Sequence, residues 1–343
     1  MRKLSLFAFA FNLLIVTACN GLLENAQLAP GGHDIEGAIK MLRSKAEGGD
    51  PEAQTSLGSL YVYGIGIPKD DEKALAWYRK SAEQGHPDGQ YNVGVMIAEG
   101  RSVPKNAAIA AEWYRKAAEQ GHTSAAFNLG VLYASGEGVD KDDTQALSWF
   151  HRAADASHVG AQLNIGIFYA SGRGVKKDEA EAFRWFKLAA EGGDGKAQYF
   201  VSESYAAGNG IEKDESSAVD WLRRSAEASY PIAQFKLSLR YLDGKGLPQD
   251  DSQAAFWMLA AAERGHVEAQ FFLGSFYDEG VGVDKDPMKA YMWWSLASRN
   301  KPEISNLCDE ARNRLNPSQR KTAEQQILEW KPISGGKQRI GRQ

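Results

Sequence analysis

The sequence predicts an all-α fold, an α/α solenoid of stacked helical hairpins. A stretch of 36 residues, written most clearly from Ala125 to Gly160, occurs seven times in succession without insertion or deletion. Every copy has glycine at its twelfth place, alanine at its twenty-second and tryptophan at its twenty-fifth. Each copy also contains the start and stop signals of two helices. A fixed period of this length is typical of arrays in which each hairpin buries its apolar side against its neighbours.

These columns fix the limits of the array. The seven copies occupy residues 53–304 and begin at Ala53, Gly89, Ala125, Ala161, Ala197, Ala233 and Ala269. Residues 34–52 align with the second half of a copy and predict a single helix that covers the open N-terminal end. Residues 305–330 lose the pattern and predict C-terminal capping helices, and residues 331–343 predict a mobile basic tail.

Helix ends inside each copy are marked by capping residues. An Asp or Asn stands where the N-cap of the second helix belongs and accepts an unpaired backbone N–H. These residues are Asp70, Asn106, Asp142, Asp178, Asp214, Asp250 and Asp286. Glycines such as Gly85 and Gly121 suit the left-handed stop after the second helix. We expect a first helix of about thirteen residues, a glycine-rich turn and a second helix of about fourteen.

The tryptophan column has two interpretations. A row of indoles, one from each copy, can form a ladder on which sugars or bases stack, or it can fill the core against small residues of neighbouring helices. The column is occupied by Trp77, Trp113, Trp149, Trp185, Trp221, Trp257 and Trp293. Tryptophan occupies this place in every copy although the surface residues around it vary, which favours a role in the core.

A histidine column invites a similar comparison. Four copies are preceded by histidine, and a row of histidines can look like a metal site. These are His86, His122, His158 and His266, but their column also holds Asp50 and Asp194 directly before a helix. Neighbouring copies are expected about 10 Å apart, whereas ligands of one ion lie near 2 Å from it. We therefore predict that these side chains cap helices.

Residues 1–18 have the layout of a secretion signal. Arg2 and Lys3 precede an apolar run that ends at Val16, which is shorter than the roughly twenty residues needed to span a bilayer. Val16 to Cys19 resembles a bacterial lipobox, in which the cysteine is acylated and the chain is cut before it. The alternative is an ordinary cleaved signal with a coincidental cysteine. We predict lipidation at Cys19 and a flexible tether over residues 19–33. Because Asn20, and not Asp, follows the cysteine, we expect the lipoprotein to be sorted to the outer membrane and not to the inner membrane.

The repeats resemble a known family. The AQxxLGxxY opening, the GxGVxKD turn and the AxxW…AAEQG close are similar to those of the Sel1-like repeat, a relative of the tetratricopeptide repeat. The resemblance covers residues 34–330. It implies a right-handed α/α superhelix that binds other proteins, with the first helices lining its concave surface.

Composition and motifs point away from nucleic acids and from catalysis. Without residues 1–18 the chain has 38 basic and 44 acidic residues, a formal charge of −6, which does not favour a nucleic-acid ligand. No GxSxG, HExxH or phosphate-binding motif occurs. With Cys19 lipidated, Cys308 has no partner for a disulfide, and we predict that it is a small buried hydrophobe. We expect no enzymatic activity, catalytic residue, metal site or cofactor.

Variable places of the first helices are the candidate binding residues. Asn92, Asn128 and Asn164 recur at one such place, where they form either an amide ladder for an extended partner or local bonds to a neighbouring helix. Later copies replace this asparagine by other residues and carry further large or charged side chains nearby. The C-terminal candidates are Phe200, Glu203, Lys236, Arg240, Phe272 and Phe276. Aromatic residues with an arginine are typical of binding hot spots, so we predict the partner site between Tyr199 and Phe276.

The sequence leaves two functions open. In the first, the chain is a non-enzymatic lipoprotein, anchored on the periplasmic face of the envelope, that scaffolds an envelope complex or engages a host protein. In the second, it is an immunity protein that neutralises a periplasm-delivered toxin, such as a type VI secretion phospholipase effector. In both, the partner is a protein, and the membrane is contacted through the lipid anchor alone.

Overall fold

The computed structural model describes residues 35–333, which are helical apart from short connections. The predictions for residues 1–34, including Cys19, and for residues 334–343 lie outside this range. In order, the α-helices are α1 Ile35–Glu47, α2 Pro51–Tyr63, α3 Asp71–Glu83, α4 Pro87–Glu99, α5 Ala107–Glu119, α6 Thr123–Ser135, α7 Asp143–Asp155, α8 Val159–Ser171, α9 Glu179–Glu191, α10 Gly195–Ala207, α11 Glu215–Glu227, α12 Pro231–Asp243, α13 Asp251–Glu263, α14 Val267–Glu279, α15 Pro287–Ser298, α16 Ser305–Asn313 and α17 Pro317–Glu329. A 3₁₀ turn covers Pro302–Ile304.

The chain divides between Lys176 and Lys177 into two compact bodies, here the N-terminal and C-terminal bodies. In each, consecutive helices pack against one another as hairpins, for example α6 on α7 and α10 on α11. Even-numbered helices from α2 to α14 are the first helices of the repeats, and odd-numbered helices from α3 to α15 are the second helices. The predicted α-solenoid is confirmed.

The predicted caps define where the helices begin and end. Every second helix begins after an Asp or Asn whose side chain accepts backbone N–H groups, as in the 3.0 Å bond from Lys73 to Asp70. Gly85 and Gly121 have φ angles of +83° and +87°, the left-handed conformation predicted for them. First helices are 13 residues long, and so are the second helices except α15, which has 12.

A glycine in the middle of the first helix lets the two helices of a hairpin approach closely. Gly130 lies against Phe150, where a Cβ would stand 2.7 Å from the ring. The same arrangement joins Gly58 with Tyr78, Gly94 with Tyr114, and Gly274 with Trp294. In two C-terminal hairpins, serine replaces the glycine and a smaller side chain replaces the ring. The pairs are Ser202 with Leu222 and Ser238 with Met258.

Successive repeats are joined by two kinds of polar contact, one at the start of the first helix and one at the start of the second helix. Glutamine near the start of a first helix donates to a carbonyl of the preceding second helix, as Gln54 does to Ala46 at 3.0 Å. Gln234 makes the equivalent bond to Ala226, also at 3.0 Å. At the start of α3, the Asp71 carboxylate accepts hydrogen bonds from the Arg101 guanidinium at 2.5 and 3.1 Å. That guanidinium lowers the pKa of Asp71.

The tryptophan column belongs to the helix packing, although it is not uniformly buried. Trp149, Trp257 and Trp293 are buried, as a core role requires. The other four are half-buried, and basic side chains lie over some of the rings: Lys80 Nζ is 4.1 Å from the centroid of Trp77. Such a cation covers the exposed part of the ring that stacked sugars or bases would need.

Both ends of the described chain are closed by helices outside the repeats. The predicted N-terminal helix is α1, and its Met41, in the tryptophan column, is exposed. At the other end, Cys308 and Ala311 of α16 and Ala323 of α17 join the core of the last hairpin. Cys308 is a free, buried cysteine, as predicted. Within residues 35–333, no helix has the length and apolarity needed to cross a bilayer.

Candidate functional site

The asparagine column of the N-terminal body is used largely inside the protein. Asn92 and Asn128 are buried. The Asn128 amide lies beside the hydroxyls of Tyr91 and Tyr114, and burial raises the pKa of Tyr91 to about 12. Asn164 is half-buried and donates a 2.7 Å hydrogen bond to the Gly160 carbonyl of its own helix. The geometry favours the local interpretation over a ladder that grips a partner.

Two of the C-terminal candidates are also occupied by contacts within the chain. Phe276 is 5% exposed and packs in the core of the last hairpins. Its column holds Leu60, Met96, Leu132 and Phe168 in earlier repeats, which are buried as well. Including Phe276 in a contact surface was therefore wrong, because its side chain fills the core.

Arg240 is held by an acidic side chain. Its guanidinium pairs with Glu215 at the start of α11 and thereby lowers the pKa of that carboxyl group. The Arg240 side chain keeps 20% of its surface exposed. The pair links α12 to the preceding second helix, and in the N-terminal body the Arg101–Asp71 pair links the connection after α4 to α3. We therefore assign Arg240 to repeat packing and not to the contact surface.

The other C-terminal candidates reach the surface on first helices. Phe272 is 37% exposed, Glu203 and Lys236 are exposed, and Phe200 is half-buried. Exposed or half-buried neighbours in the same helices extend this surface. The C-terminal first-helix face is defined here by Lys196, Phe200, Ile232, Lys236, Leu239 and Phe272.

Helical spacing places these side chains together on each helix. Lys196 and Phe200 are four residues apart on α10, as Ile232 and Lys236 are on α12, so each pair shares one side of its helix. The Lys196 ammonium lies 5.7 Å from the centroid of the Phe200 ring. The face therefore alternates apolar and basic groups.

Ring contacts underneath hold the aromatic members in place. Phe200 stacks on Phe186 of α9 with centroids 4.8 Å apart. Phe272 meets Phe235 of α12 at 5.9 Å and Phe271 of its own helix at 5.5 Å. Because these rings are supported from behind, they lose little side-chain freedom when a partner covers them.

Ile232 is a member of this face that sequence reasoning missed. It is 37% exposed, as much as Phe272. It follows Pro231, and an apolar residue so near a helix start suggests a buried contact. Its column gave the signal, since the equivalent places hold Glu52, Asp88, Ser124, Gly160, Lys196 and Glu268. A large apolar residue in a polar column is a candidate for binding.

The charges of the face are unbalanced. Neither Lys196 nor Lys236 forms an ion pair with another described residue. Of the nearby acids, Glu268 lies 3.6 Å from Lys301 Nζ. Glu203 is exposed and bonds the hydroxyl of Tyr199, whose pKa burial raises to about 12, and because that hydroxyl is neutral Glu203 keeps its negative charge. The face therefore presents two unpaired lysines among apolar side chains, with the Glu203 carboxylate three residues beyond Phe200 on α10.

Three of the four column histidines cap helices, as predicted. The Nδ1 atoms of His122, His158 and His266 accept backbone N–H groups at 3.1, 3.1 and 3.2 Å. Each ring also stacks on an aromatic ring of the preceding first helix, for example His158 on Phe127 at 4.4 Å. His86 makes no side-chain cap bond, so the prediction was wrong there. Within residues 35–333, no cluster of three or more potential ligand side chains could hold a metal ion.

Comparison with known proteins places this arrangement in a family. The model of the Sel1 repeat matches residues 51–86, 87–122, 123–158, 159–194, 195–230, 231–266 and 267–301. The chain belongs to the Sel1 repeat family. The matched segments begin two residues before the copies defined from the sequence columns, at the first residues of α2, α4, α6, α8, α10, α12 and α14.

Solved structures of other bacterial proteins resemble this chain. The Sel1 repeat protein from Oxalobacter formigenes is 31% identical over 93% of this chain and 92% of its own, with a TM-score of 0.68. The protective antigen c5321 of uropathogenic Escherichia coli is 28% identical over 93% and 84%, with a TM-score of 0.45. The immunity protein PA5087 of Pseudomonas aeruginosa is 23% identical over 62% and 82%, with a TM-score of 0.39. A comparison with curated proteins gave no match.

Membership gives a general statement about function. Sel1 repeat proteins mediate protein–protein interaction, and the scaffold is typically non-catalytic. For this chain, the side chains that pack the hairpins are accounted for by the fold.

Proposed function

We propose that the protein is a non-enzymatic adaptor of the bacterial envelope that binds a protein partner through the C-terminal first-helix face. The observation that carries the proposal is the exposure of Phe272 and Ile232 on supported first helices. Covering an exposed third of a large apolar side chain contributes roughly 1–2 kcal/mol. Several such side chains with two lysines provide a small binding hot spot.

We further propose that the chain is a lipoprotein whose anchor is Cys19, on the periplasmic face of the envelope and in the outer membrane. The support is the sequence of residues 1–20, with its basic start, apolar run and lipobox-like Val16 to Cys19. Two or three acyl chains would give stable attachment, since each buried methylene contributes about 0.8 kcal/mol. Metabolic labelling with palmitate tests this: the native protein should be labelled and fractionate with outer membranes. Cys19→Ser should abolish the label, and equal labelling of both would reject the anchor.

Binding is tested by affinity capture from detergent-solubilised envelope with matched variants. The test variant is Ile232→Ala with Phe272→Ala, which leaves the stacked Phe200 in place. The control is Leu188→Ala with Phe256→Ala, which removes side chains that are 46% and 44% exposed on second helices of the same body. Circular dichroism should show unchanged helicity in both. The first variant should lose the partner and the control should keep it; retention by the first variant would reject the site.

The identity of the captured protein distinguishes the two possible roles of the chain, a scaffold and an immunity protein. An envelope or host protein indicates a scaffold. A toxic effector whose activity falls when the chain is added indicates an immunity protein, and then Ile232→Ala with Phe272→Ala should restore toxicity.

A further inference from the structure

The two lysines of the C-terminal first-helix face restrict what kind of segment can bind there. Lys236 is exposed, Lys196 lies beside Phe200, and neither is paired with a carboxylate among residues 35–333. A partner that buried them without a carboxylate would desolvate two unpaired charges, which opposes binding. A partner that supplied carboxylates would form charge-assisted hydrogen bonds with them.

Nearby acids offset this charge only in part. Glu268 and, on the neighbouring second helix α11, Glu215 have basic partners in Lys301 and Arg240. Glu203 lies three residues beyond the central position of α10 and keeps its charge, since its partner is the neutral Tyr199 hydroxyl. Asp243 and Glu279 are exposed, but each lies seven residues beyond the central position of its helix, about 10 Å away along the axis. The face therefore carries two unpaired lysines against one carboxylate without a cation partner, Glu203, while Asp243 and Glu279 lie at one edge.

Equivalent places in the N-terminal body have different chemistry. Where the C-terminal body has Lys196 and Ile232, the N-terminal body has Glu52, Asp88 and small residues. Its central column holds Ser56, the buried Asn92 and Asn128 and the half-buried Asn164, where the C-terminal body has Phe200, Lys236 and Phe272. The combination of apolar and basic groups thus belongs to the C-terminal body among the described residues.

We propose that the partner of this face is a protein segment in which apolar side chains are interleaved with Asp or Glu. The proposal rests on the proposed function and specifies its ligand. Apolar side chains would cover Phe200, Ile232 and Phe272, while carboxylates would meet Lys196 and Lys236. The basic tail of this chain, with Lys337, Arg339 and Arg342, is a poor occupant because its charge has the same sign.

The segment can be identified by photocrosslinking from within the face. In the full chain, Phe272→p-benzoylphenylalanine is irradiated with solubilised envelope, and the crosslinked peptide is sequenced. The peptide is then synthesised in native form and with Gln and Asn in place of Glu and Asp. The expected peptide has apolar residues and net negative charge. A basic or charge-free peptide would overturn the proposal while leaving protein binding intact.

Charge reversal supplies the quantitative test. Lys196→Glu with Lys236→Glu should weaken binding of the native peptide by about tenfold or more at low salt, and the loss should shrink as salt screens the charges. The control is Lys213→Glu with Lys285→Glu, which makes the same change of charge at exposed loop positions of the same body. It should alter binding little. Equal binding by wild type and the first variant would overturn the proposal, and the absence of any crosslink from residue 272 would overturn the proposed function with it.

Discussion

Gly130 of α6 lies directly against the ring of Phe150 of α7. A Cβ on Gly130 would stand 2.7 Å from both Cδ1 and Cε1 of that ring and 3.2 Å from the Ala146 carbonyl oxygen. Phe150 is fully buried and also meets Phe168 edge-on at 5.5 Å, so it has little room to move. The glycine therefore sets the distance between the two helices of this hairpin.

Substitution of this glycine should destabilise the protein. We expect Gly130→Ser to lower the free energy of unfolding by about 1–3 kcal/mol, because overpacking forces the ring or the backbone to shift. Combined with Phe150→Leu, it reproduces the Ser202 and Leu222 pair, in which the serine Oγ donates to the Ala218 carbonyl at 2.7 Å. The double variant should lose less stability than the sum of the single variants in urea unfolding. Additive losses would contradict the close fit.

Histidine caps should make the fold sensitive to acid. His158 accepts the Ala161 N–H through Nδ1, and burial lowers its pKa from 6.5. The native state then binds fewer protons than the unfolded state as pH falls below about 6.5, so stability falls with pH in that range. His158→Asn keeps a capping oxygen and does not titrate. Thermal unfolding from pH 7 to pH 5 should show a flatter pH dependence for the variant; parallel curves would contradict this role.

Replacement of Ser157 by glycine should stabilise the fold. Ser157 occupies the position where most repeats have glycine, and its φ is +59°. A side chain in this left-handed conformation costs about 1 kcal/mol relative to glycine. Ser157→Gly should therefore raise the unfolding midpoint slightly, whereas Gly121→Ser, at a φ of +87°, should lower it. A lower midpoint for Ser157→Gly would mean that the serine makes a compensating contact.

The fold was predictable because its determinants recur at fixed spacing. The seven Asp and Asn caps and the left-handed glycines are local signals, readable from a few neighbouring residues. His86 shows the limit of this reasoning: its place in the column matches His122, yet its side chain makes no cap bond. The place of a residue in the column predicts its backbone conformation, whereas the hydrogen bonds of its side chain depend on the neighbouring residues.

The candidate site was only partly predictable, since a column does not reveal what is exposed. Phe272 and Phe276 both looked like surface aromatics, but one turn of helix separates an exposed ring from a buried one. Arg240 appeared free because its partner Glu215 lies 25 residues earlier in the chain. Pairing over such a distance depends on how the repeats stack, which the residue pattern alone does not give.

Hydrogen exchange of the full chain with its captured partner tests the central claim most directly. The account predicts that added protection is concentrated in α10, α12 and α14, and that Ile232→Ala with Phe272→Ala removes it. Protection concentrated on the second helices α9, α11 and α13, or in the N-terminal body, would contradict the assignment of the partner to the C-terminal first-helix face.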